Sequence, residues 1–240
     1  MEEKQLEIDR IPAVLYGRES EEVWLFLHGK HGHKEEAREL ADIACRRGWQ
    51  VLGVDLPGHG QRSTEADAFD PWHVVPELRA VLKAIHRRWS GLALCANSIG
   101  AWFGMQAFSE ERFQKCLFLS PVLDMEELIQ RMMGWAGVDE EELRERRTIE
   151  TAFGETLSWQ YLQYAKDHPV QRWTSITSIL YGDQDNLTER QTVDRFTAQF
   201  SCDLTVLEGG EHWFHTEEQM EVVRRWMAER VFAQKEEGHA

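Results

Sequence analysis

Residues 92–102 read LALCANSIGAW, an apolar run that leads to a serine and then into a helical pattern. The run from Leu92 to Ala96 is typical of a strand. A sharp turn from a strand into a helix lifts a serine hydroxyl above the sheet, and it needs small residues two positions before and after the serine. Ala96 and Gly100 meet that need, although glycine is the usual residue at the first position. The pattern predicts a nucleophile elbow with Ser98 at its tip.

Short apolar runs alternate with longer helical patterns along the chain. The predicted strands are residues 23–27, 51–54, 92–96, 116–120, 176–181 and 204–207. The predicted helices are residues 34–47, residues 72–88, one that ends near 108, one that begins near 188, and residues 216–232. Strands that alternate with helices indicate parallel βα units. We therefore expect an α/β fold with a mostly parallel central sheet flanked by helices, and an antiparallel pair, residues 6–8 and 13–16, at one edge.

Residues 124–172 interrupt this alternation, because they contain no strand-like run. Residues 125–133, 140–146 and 157–166 have helical spacing instead. A helical segment of about fifty residues is too long for a simple crossover between two strands. We therefore expect a single domain, residues 1–240, in which residues 124–172 form an inserted helical lid after the strand that ends near Ser120.

The composition is that of an ordinary soluble globular protein, with 42% hydrophobic and 29% charged residues. The net charge of -15 argues against nucleic-acid binding, which needs a basic patch. No apolar run approaches the length that spans a membrane, and the opening residues lack the apolar core of a signal peptide. We expect a cytoplasmic protein that does not insert into membranes. Its polar tail, residues 234–240, is expected to fray.

The chain has four scattered cysteines, Cys45, Cys95, Cys116 and Cys202. Two of them lie inside apolar strand-like runs, and no two have the CxxC spacing. This distribution indicates neither a disulfide framework nor a zinc site. We expect buried free thiols at all four positions.

A metal site is the alternative that the histidines raise. His28, His31 and His33 lie close together after a predicted strand, in the segment HGKHGH. Clustered histidines can bind zinc or iron. However, the spacing matches neither His-x-x-x-His on a helix nor a His-x-His-x-Asp-His loop, and no carboxylate lies within the cluster. We expect no metal or other cofactor, and histidines that line the rim of the loop.

A serine becomes a strong nucleophile only when a base removes its proton, and the base needs an acid that orients it. In a sheet of this kind the chain order is serine, acid, histidine, with each residue just after a strand. The segment after the strand at 176–181 reads GDQDN, and its Asp185 is the candidate acid. Asp183, which suits turn or cap hydrogen bonding, and Asp124, after the preceding strand, remain alternatives.

The candidate base follows the strand at 204–207, in the segment EGGEHWFH. His212 lies in a loop that two glycines open, five residues past the strand. His215 is the alternative base, but it begins the last predicted helix, where a capping or solvated role is simpler. The order Ser98, Asp185, His212 favours His212.

An oxyanion hole is the fourth element of such a site. Negative charge that develops on a substrate oxygen needs two preorganised backbone N–H groups. Ile99 is one candidate donor, because it follows Ser98 at a helix N-terminus, where N–H groups are free and the dipole helps. Lys30 is the other, because Gly29 lets the backbone of that loop approach. Only the backbone N–H of Lys30 is implied, and its side chain is expected to be solvated.

These residues resemble the α/β-hydrolase superfamily, in particular its serine esterase, lipase and peptidase-like members. The matching pieces occur in the family's order, from about residue 23 to 230: His28-Gly29, Asp55 to Gly60, the elbow at Ser98, Gly182 to Asp185, and Gly210 to His212. The Asp55 to Gly60 segment is similar to a structural turn of the family, so we expect no catalytic role for Asp55 or His59. The layout is similar to that of bacterial carboxylesterases of the cinnamoyl or feruloyl esterase kind, and a cap is commonly inserted at this place in the family.

The resemblance implies a serine hydrolase that cleaves small-molecule carboxylic esters, with small to medium acyl or aromatic groups, through an acyl-enzyme. Haloalkane dehalogenases and epoxide hydrolases carry a carboxylate at the elbow, where this chain has Ser98. A thioesterase or peptidase-type acyl hydrolase and a non-catalytic binding protein on the same fold remain alternatives. Seven residues of the expected lid form either its own core or an apolar cleft for the substrate: Met132, Met133, Trp135, Phe153, Trp159, Tyr161 and Tyr164.

Overall fold

The computed structural model describes residues 1–233, and the expectation that residues 234–240 fray lies outside this range. The strands of the described residues are β1 (Glu3–Ile8), β2 (Ile11–Tyr16), β3 (Glu22–Leu27), β4 (Gln50–Val54), β5 (Gly91–Asn97), β6 (Cys116–Leu119), β7 (Thr148–Glu150), β8 (Thr156–Ser158), β9 (Thr177–Gly182) and β10 (Asp203–Leu207). The α-helices in the same range are α1 (Ala37–Ala44), α2 (Pro71–His86), α3 (Ile99–Ala107), α4 (Met125–Ala136), α5 (Glu140–Arg146), α6 (Trp159–Asp167), α7 (Arg190–Phe200) and α8 (Glu217–Phe232).

The main sheet has the strand order β1-β2-β4-β3-β5-β6-β9-β10. The strands from β4 to β10 in this order are mutually parallel. At the other end, β1 pairs with β2 and β2 pairs with β4, both antiparallel. The predicted mostly parallel sheet and the predicted antiparallel edge pair are therefore confirmed.

Both faces of the sheet are covered by helices. Along β3, for example, Leu25 belongs to the core on one face and its neighbours Trp24 and Phe26 to the core on the other. This division follows from the alternation of side chains in a strand, and it explains why the central strands are apolar without interruption. Helices α1 and α8 contribute buried residues to one core, and α2, α3 and α7 to the other.

The predicted helices agree with the structure apart from their ends. The segment predicted at 34–47 is α1 with a turn of 3₁₀ helix on each side, and it ends at Gly48 with φ +82°. Helix α8 begins with a capping box between Thr216 and Gln219, as the polar start of that segment favours. None of the helices in residues 1–233 combines the length and apolar character that a bilayer crossing requires.

The connection between β6 and β9, residues 120–176, contains α4, α5, α6 and an antiparallel hairpin of β7 and β8. The prediction that residues 124–172 hold no strand was wrong, and residues 157 and 158 belong to β8 rather than to a helix. Each hairpin strand has three residues and only one buried apolar side chain, Ile149 or Leu157. Three residues are too few for the alternation of apolar and polar side chains to indicate a strand.

The four cysteines are all free thiols. Cys95 and Cys116 lie in strands of the main sheet and are buried, as predicted. Cys45 and Cys202 are half-buried, so the prediction of full burial was wrong for these two. Cys45 begins the 3₁₀ turn that follows α1, and Cys202 lies two residues past the end of α7.

Candidate active site

The turn between β5 and α3 has the sharp geometry that its small residues predict. Ser98 has φ +49° and ψ -121°, a conformation that residues other than glycine rarely adopt. Its N–H donates to the carbonyl oxygen of Leu119 (3.0 Å), and its own carbonyl accepts from the N–H of Val122 (3.1 Å), so the end of β6 holds the strained residue. A Cβ on Gly100 would lie 2.5 Å from the carbonyl oxygen of His28, which explains the need for glycine there.

Three residues from three strand ends are joined by two hydrogen bonds. Ser98 Oγ lies 2.7 Å from Nε2 of His212, and Nδ1 of His212 lies 2.8 Å from Oδ2 of Asp185. These residues follow β5, β10 and β9, whose carboxyl ends share one edge of the sheet. A carboxylate can only accept, so the Asp185 contact puts the proton on Nδ1 and leaves Nε2 to accept from the Ser98 hydroxyl.

The Asp185 carboxylate is held on both of its oxygens. Oδ1 accepts from the N–H groups of Leu187 (2.8 Å) and Thr188 (2.9 Å), while Oδ2 faces His212. The carboxylate is completely buried, and the imidazole of His212 is 13% exposed. The loop after β9 therefore fixes the direction of the carboxylate, and the carboxylate fixes the imidazole.

The alternative acids and the alternative base have other partners. Asp183 accepts from the N–H of Gly209 (2.7 Å) and so joins the loops after β9 and β10. Asp124 accepts from the N–H of Glu127 (3.0 Å) and caps α4. His215 stacks on Trp213, with 4.7 Å between the ring centroids. None of these three contacts involves Ser98, Asp185 or His212.

The two candidate oxyanion donors lie beside Ser98. Lys30 and Ile99 line the same cavity as the serine. A Cβ on Gly29 would come within 3.2 Å of Ser98 Cβ, so the loop after β3 passes directly against the nucleophile position. Among residues 1–233, neither the Lys30 nor the Ile99 N–H donates to any acceptor, which leaves both available to a substrate oxygen. The Lys30 side chain, expected to be solvated, is instead paired with Glu155.

Two histidines brace the loop that carries Lys30. His28 is fully buried, its Nδ1–H donates to the Gly29 carbonyl (2.7 Å), and its Nε2 accepts from the N–H of Leu56 (3.0 Å). Burial lowers the pKa of His28 to about 4, so the ring is neutral, as these bonds require. Likewise Nε2 of His59 accepts from the N–H of His31 (2.9 Å), and burial lowers the pKa of His59. These bonds tie the loop after β3 to the loop after β4.

A buried ion pair supports the same two loops. Asp55 accepts from Nζ and N–H of Lys34 (both 2.9 Å) and from the N–H of Gln61 (3.0 Å). Both charged side chains are almost completely buried. A Cβ on Gly60 would lie 2.2 Å from the Asp55 carboxylate. The structural role expected for Asp55 agrees with these contacts, whereas sequence reasoning missed Lys34, because no spacing rule connects it to Asp55.

The metal hypothesis finds no ligand set in the described part of the chain, where no three histidine, cysteine or acidic side chains are grouped to hold an ion. His33 pairs with Glu35 at 3.0 Å. His31 lines the cavity, as expected for a rim residue. His28 does not, because both of its ring nitrogens are used inside the fold.

A cavity of about 920 Å³ contains Ser98 in its wall. Of the seven candidate lid residues, those that line it are Met132, Trp135, Phe153 and Tyr161. The others belong to the packed core or lie against it: Met133, Trp159 and Tyr164. The seven residues thus divide between the wall of a cavity and the packed core, and the prediction that the cavity takes the substrate stays a prediction. The cavity wall also includes polar groups from the hairpin, among them Glu155 and Ser158.

The family model described as serine aminopeptidase, S33, matches residues 18–176. The chain belongs to the serine aminopeptidase S33 family. The matched range includes β3, the Lys30 loop and the Ser98 turn, and it ends before Asp185 and His212. This S33-family chain is an α/β-hydrolase, as the resemblance implied, and its family supports a hydrolase activity.

No curated protein matches the chain in sequence. Several solved structures have the same fold. Est1E from Butyrivibrio proteoclasticus, with ferulic acid bound, has a TM-score of 0.73 and 21% identity over 95% of this chain and 99% of its own. Alpha/beta hydrolase domain-containing protein 10 from mouse has a TM-score of 0.72 and 12% identity over 95% and 97%. A thioesterase domain from the curacin biosynthetic pathway has a TM-score of 0.59 and 17% identity over 95% and 99%. At these identities the similarity establishes the fold.

Proposed function

We propose that this S33-family chain is a serine hydrolase that cleaves carboxylic esters, with Ser98 as its nucleophile. The observation that carries the proposal is the continuous hydrogen-bonded line from Asp185 through His212 to Ser98 Oγ. It ends at a serine on a strained turn in the wall of a substrate-sized cavity. A nucleophile, a base and an orienting acid in this order are the parts that acyl transfer needs.

In the first half of the reaction, Ser98 Oγ attacks the ester carbonyl carbon while its proton passes to Nε2 of His212. The carbonyl π electrons move to the oxygen, and this oxyanion accepts hydrogen bonds from the N–H groups of Lys30 and Ile99. Asp185 stabilises the imidazolium through Nδ1–H. When the carbonyl re-forms, the bond to the alcohol oxygen breaks, and His212 returns its proton to the leaving alkoxide. The products are an alcohol and an acyl-serine.

In the second half, a water molecule takes the place of the alcohol. His212, now neutral, accepts a proton from the water molecule while the water oxygen attacks the carbonyl carbon of the acyl-serine. The same two N–H groups hold the second oxyanion. Collapse of this intermediate breaks the bond to Ser98 Oγ, and the proton from His212 restores the serine hydroxyl. The acid is released, and the groups are again as they were before the first attack.

We further propose that residues 124–172 act as a lid and that the substrate is an ester with a small to medium acyl or aromatic group. Met132, Trp135 and Phe153 give the cavity an apolar side, which suits such a group. A volume of 920 Å³ lies near the upper end of the roughly 300–1,000 Å³ that is usual for small-molecule sites. Ferulic acid, which is bound to Est1E, a protein of the same fold, is an aromatic carboxylic acid that corresponds to such an acyl group.

A second candidate is hydrolysis of thioesters or amides by the same residues. A thioesterase domain among the similar structures favours the first, and the family description favours the second. The chemistry differs only in the leaving group, which is a thiolate or an amine that takes the proton from His212. The substrate panel below separates these possibilities from ester hydrolysis.

The experiment that tests the proposal is labelling with a fluorophosphonate probe, followed by intact and peptide mass analysis. We expect one adduct, on Ser98, and turnover of p-nitrophenyl esters that exceeds turnover of acyl thioesters and aminoacyl p-nitroanilides. Ser98→Ala should lose the adduct and lower kcat on the order of 10⁶-fold. Ser120→Ala is the matched control, because Ser120 also follows a strand with positive φ and should leave labelling unchanged.

Three outcomes would contradict parts of the proposal. An adduct on another serine would contradict the assignment of Ser98. Labelling of Ser98 with turnover of thioesters or anilides alone would move the function to the second candidate. No labelling together with no turnover of any substrate would indicate a binding protein on this fold.

A further inference from the structure

We propose that the Ser98 cavity selects esters without an ionised group, because Lys30 and Glu155 pair with each other and leave no free charge in its wall. The inference rests on the proposed function, and it names the substrate class of the same site. Both charged side chains line the cavity. Nζ of Lys30 donates to both carboxylate oxygens of Glu155, at 2.5 Å each. An ionised group of a substrate would therefore find its natural partner already taken.

The rest of the cavity wall carries no further acidic or basic side chain. Within residues 1–233, the polar groups that line it besides the pair are hydroxyls, an amide and the rings of His31 and His59. Burial lowers the pKa of His59, and its Nε2 already accepts from the N–H of His31. The remaining wall is apolar or glycine. The Lys30–Glu155 pair thus decides the charge of the cavity.

Two charged groups behind the wall are also paired. The guanidinium of Arg131 lies over the ring of the wall residue Trp135, with 5.6 Å between Cζ and the ring centroid, and Arg131 pairs with Glu189. The carboxylate of Asp185 is completely buried and faces His212. Neither group offers an unpaired charge to a substrate.

The pair is held from the hairpin side by a closed turn. The carbonyl oxygen of Glu155 accepts from the N–H (2.9 Å) and the hydroxyl (2.7 Å) of Thr151. The N–H of Glu155 donates to the same hydroxyl oxygen (3.1 Å). Below this turn, Ile149 and Leu157 are buried in the core. The carboxylate therefore extends from a fixed backbone toward Lys30 on the loop after β3.

An ionised group loses free energy of hydration when it enters a site, and only an opposite charge in the site offsets that loss. A substrate carboxylate beside Lys30 would have to displace Glu155, and a substrate ammonium beside Glu155 would have to displace Lys30. Either exchange leaves one side chain of the pair without its partner. The pair therefore disfavours ionised substrates of both signs. Each side chain is 37% exposed, so water weakens the effect and we expect factors of about ten.

The inference separates ester hydrolysis from the activity that the family description names. An aminopeptidase binds a substrate with a free α-ammonium group, and such a group needs an unpaired carboxylate beside it. In the described part of the chain, Glu155 is the one carboxylate in the cavity wall, and Lys30 occupies both of its oxygens. The cavity therefore suits a neutral ester better than a free amino terminus.

The test compares three p-nitrophenyl esters of equal length, whose acyl groups end in a neutral amide, a carboxylate or an ammonium group. They are the esters of adipic acid monoamide, adipic acid and 6-aminohexanoic acid. The amide has the shape of the carboxylate, so this comparison isolates the charge. At about pH 8, above the usual titration range of histidine, wild-type kcat/KM should be about tenfold lower for each ionised ester than for the amide.

Two single variants should change this preference in opposite directions. Glu155→Gln leaves Lys30 unpaired, so kcat/KM for the carboxylate ester relative to the amide should rise about tenfold, while the ratio for the ammonium ester should fall. Lys30→Gln keeps the backbone N–H and leaves Glu155 unpaired, so the ammonium ester should gain and the carboxylate ester should lose. The double variant should return both ratios to within about threefold of the wild type. A merely structural role of the pair would not separate the two ratios by sign.

Glu140→Gln and Lys166→Gln are the matched controls. They break another ion pair of the β6–β9 connection, between Glu140 and Lys166, and change the net charge as the two test variants do. Neither residue lines the cavity. Both ratios should stay at their wild-type values, which would exclude steering by the net charge of -15 as the cause.

Equal turnover of the three esters by the wild type would overturn the inference. So would a shift of both ratios in the same direction, or of neither, in Glu155→Gln. If Ser98→Ala abolishes the turnover in these cases, the proposed function stands without the charge selectivity. A wild-type protein that hydrolyses none of the three esters, nor p-nitrophenyl acetate, would overturn the proposed function and the charge selectivity together.

Discussion

The two walls of the Ser98 cavity are built in different ways. One wall comes from the loops after the sheet strands, where buried polar groups such as His28 and Asp55 have their hydrogen-bonding atoms paired with the backbone. The other comes from the β6–β9 connection, where Trp135 and Phe153 are 48% and 42% exposed and meet edge to face. The first wall fixes the positions of polar groups around Ser98, and the second contributes apolar surface to the cavity. The residues of the proposed catalytic triad lie on the wall whose polar groups are the more fully hydrogen-bonded.

The contrast extends to how the second wall is fastened to the first. The Lys30–Glu155 pair is half-exposed, and Arg131 on α4 donates to the carbonyl of Asn186 (3.0 Å) and pairs with Glu189. Such surface contacts are individually weak. Changes on the sheet side should therefore alter rate and stability, whereas changes in the apolar surface of the connection should alter which substrates bind.

The largest effect is expected from Asp185→Asn, which keeps the shape of the side chain but not its charge. An amide that donates to Nδ1 would leave the proton of His212 on the wrong nitrogen, so kcat should fall about 10⁴-fold. Asp183→Asn is the matched control from the same loop, since its carboxylate faces Gly209 rather than the imidazole. The measurement is kcat and KM of both variants on one p-nitrophenyl ester.

A larger loss of kcat in Asp183→Asn than in Asp185→Asn would assign the role of the acid to Asp183. Equal and small effects would mean that the imidazole needs no orienting carboxylate, and the rigidity of the first wall would then have no catalytic purpose. The thermal midpoints of both variants separate such results from a loss of folding.

The first wall could be predicted from the sequence, because each residue of the proposed catalytic triad lies within five residues of the end of a strand. Ser98, Asp185 and His212 are far apart in the chain, yet parallel strands end at one edge, so strand order alone brings them together. The small residues around Ser98 add a steric reason that is visible in the sequence. Local pattern and topology agree there.

The second wall could be predicted only as a helical insertion. Its hairpin has one buried apolar residue in each three-residue strand, too little to form a pattern. Two ion pairs join residues that are distant in the chain, Lys34 with Asp55 and Lys30 with Glu155. Charged residues make up 29% of the chain, and composition does not say which two will meet. Only packing decides such pairs.

An intermediate effect is expected in the pH dependence of stability, through His28. The folded protein keeps this ring neutral down to about pH 4, whereas the unfolded chain protonates it near 6.5. Unfolding therefore takes up a proton between these values, and the free energy of unfolding should fall as pH drops from 6.5 to 4. The loss from this one group reaches about 3 kcal/mol at most.

The measurement is denaturant unfolding between pH 7 and pH 4, for the wild type and for His28→Gln. Glutamine can still accept from the N–H of Leu56 but does not titrate, so the stability of this variant should depend less steeply on pH. His33→Gln removes an exposed histidine of the same loop and serves as the control. Equal slopes for the wild type and His28→Gln would mean that the buried brace does not contribute to the acid sensitivity.

The smallest effect, and the one that tests the second wall, is expected from Trp135→Ala. An apolar or aromatic acyl group that covers this ring would lose part of its buried contact, so KM for long or aromatic esters should rise about tenfold. KM for the acetyl ester and kcat for all esters should change little, because the acetyl group is too short to use the ring. Phe153→Ala should act in the same direction, since its ring contacts that of Trp135.

Trp213→Ala is the decisive control for that result. It distinguishes an effect of lining the cavity from an effect of lying close to the reacting groups. Trp213 directly follows His212 and is 74% exposed, but it does not line the cavity. If the difference between the walls is real, removing this ring should leave acyl preference unchanged, whereas Trp135→Ala should change it. If Trp135→Ala instead lowers kcat equally for every ester, the β6–β9 connection also helps to position the reacting groups, as the first wall does.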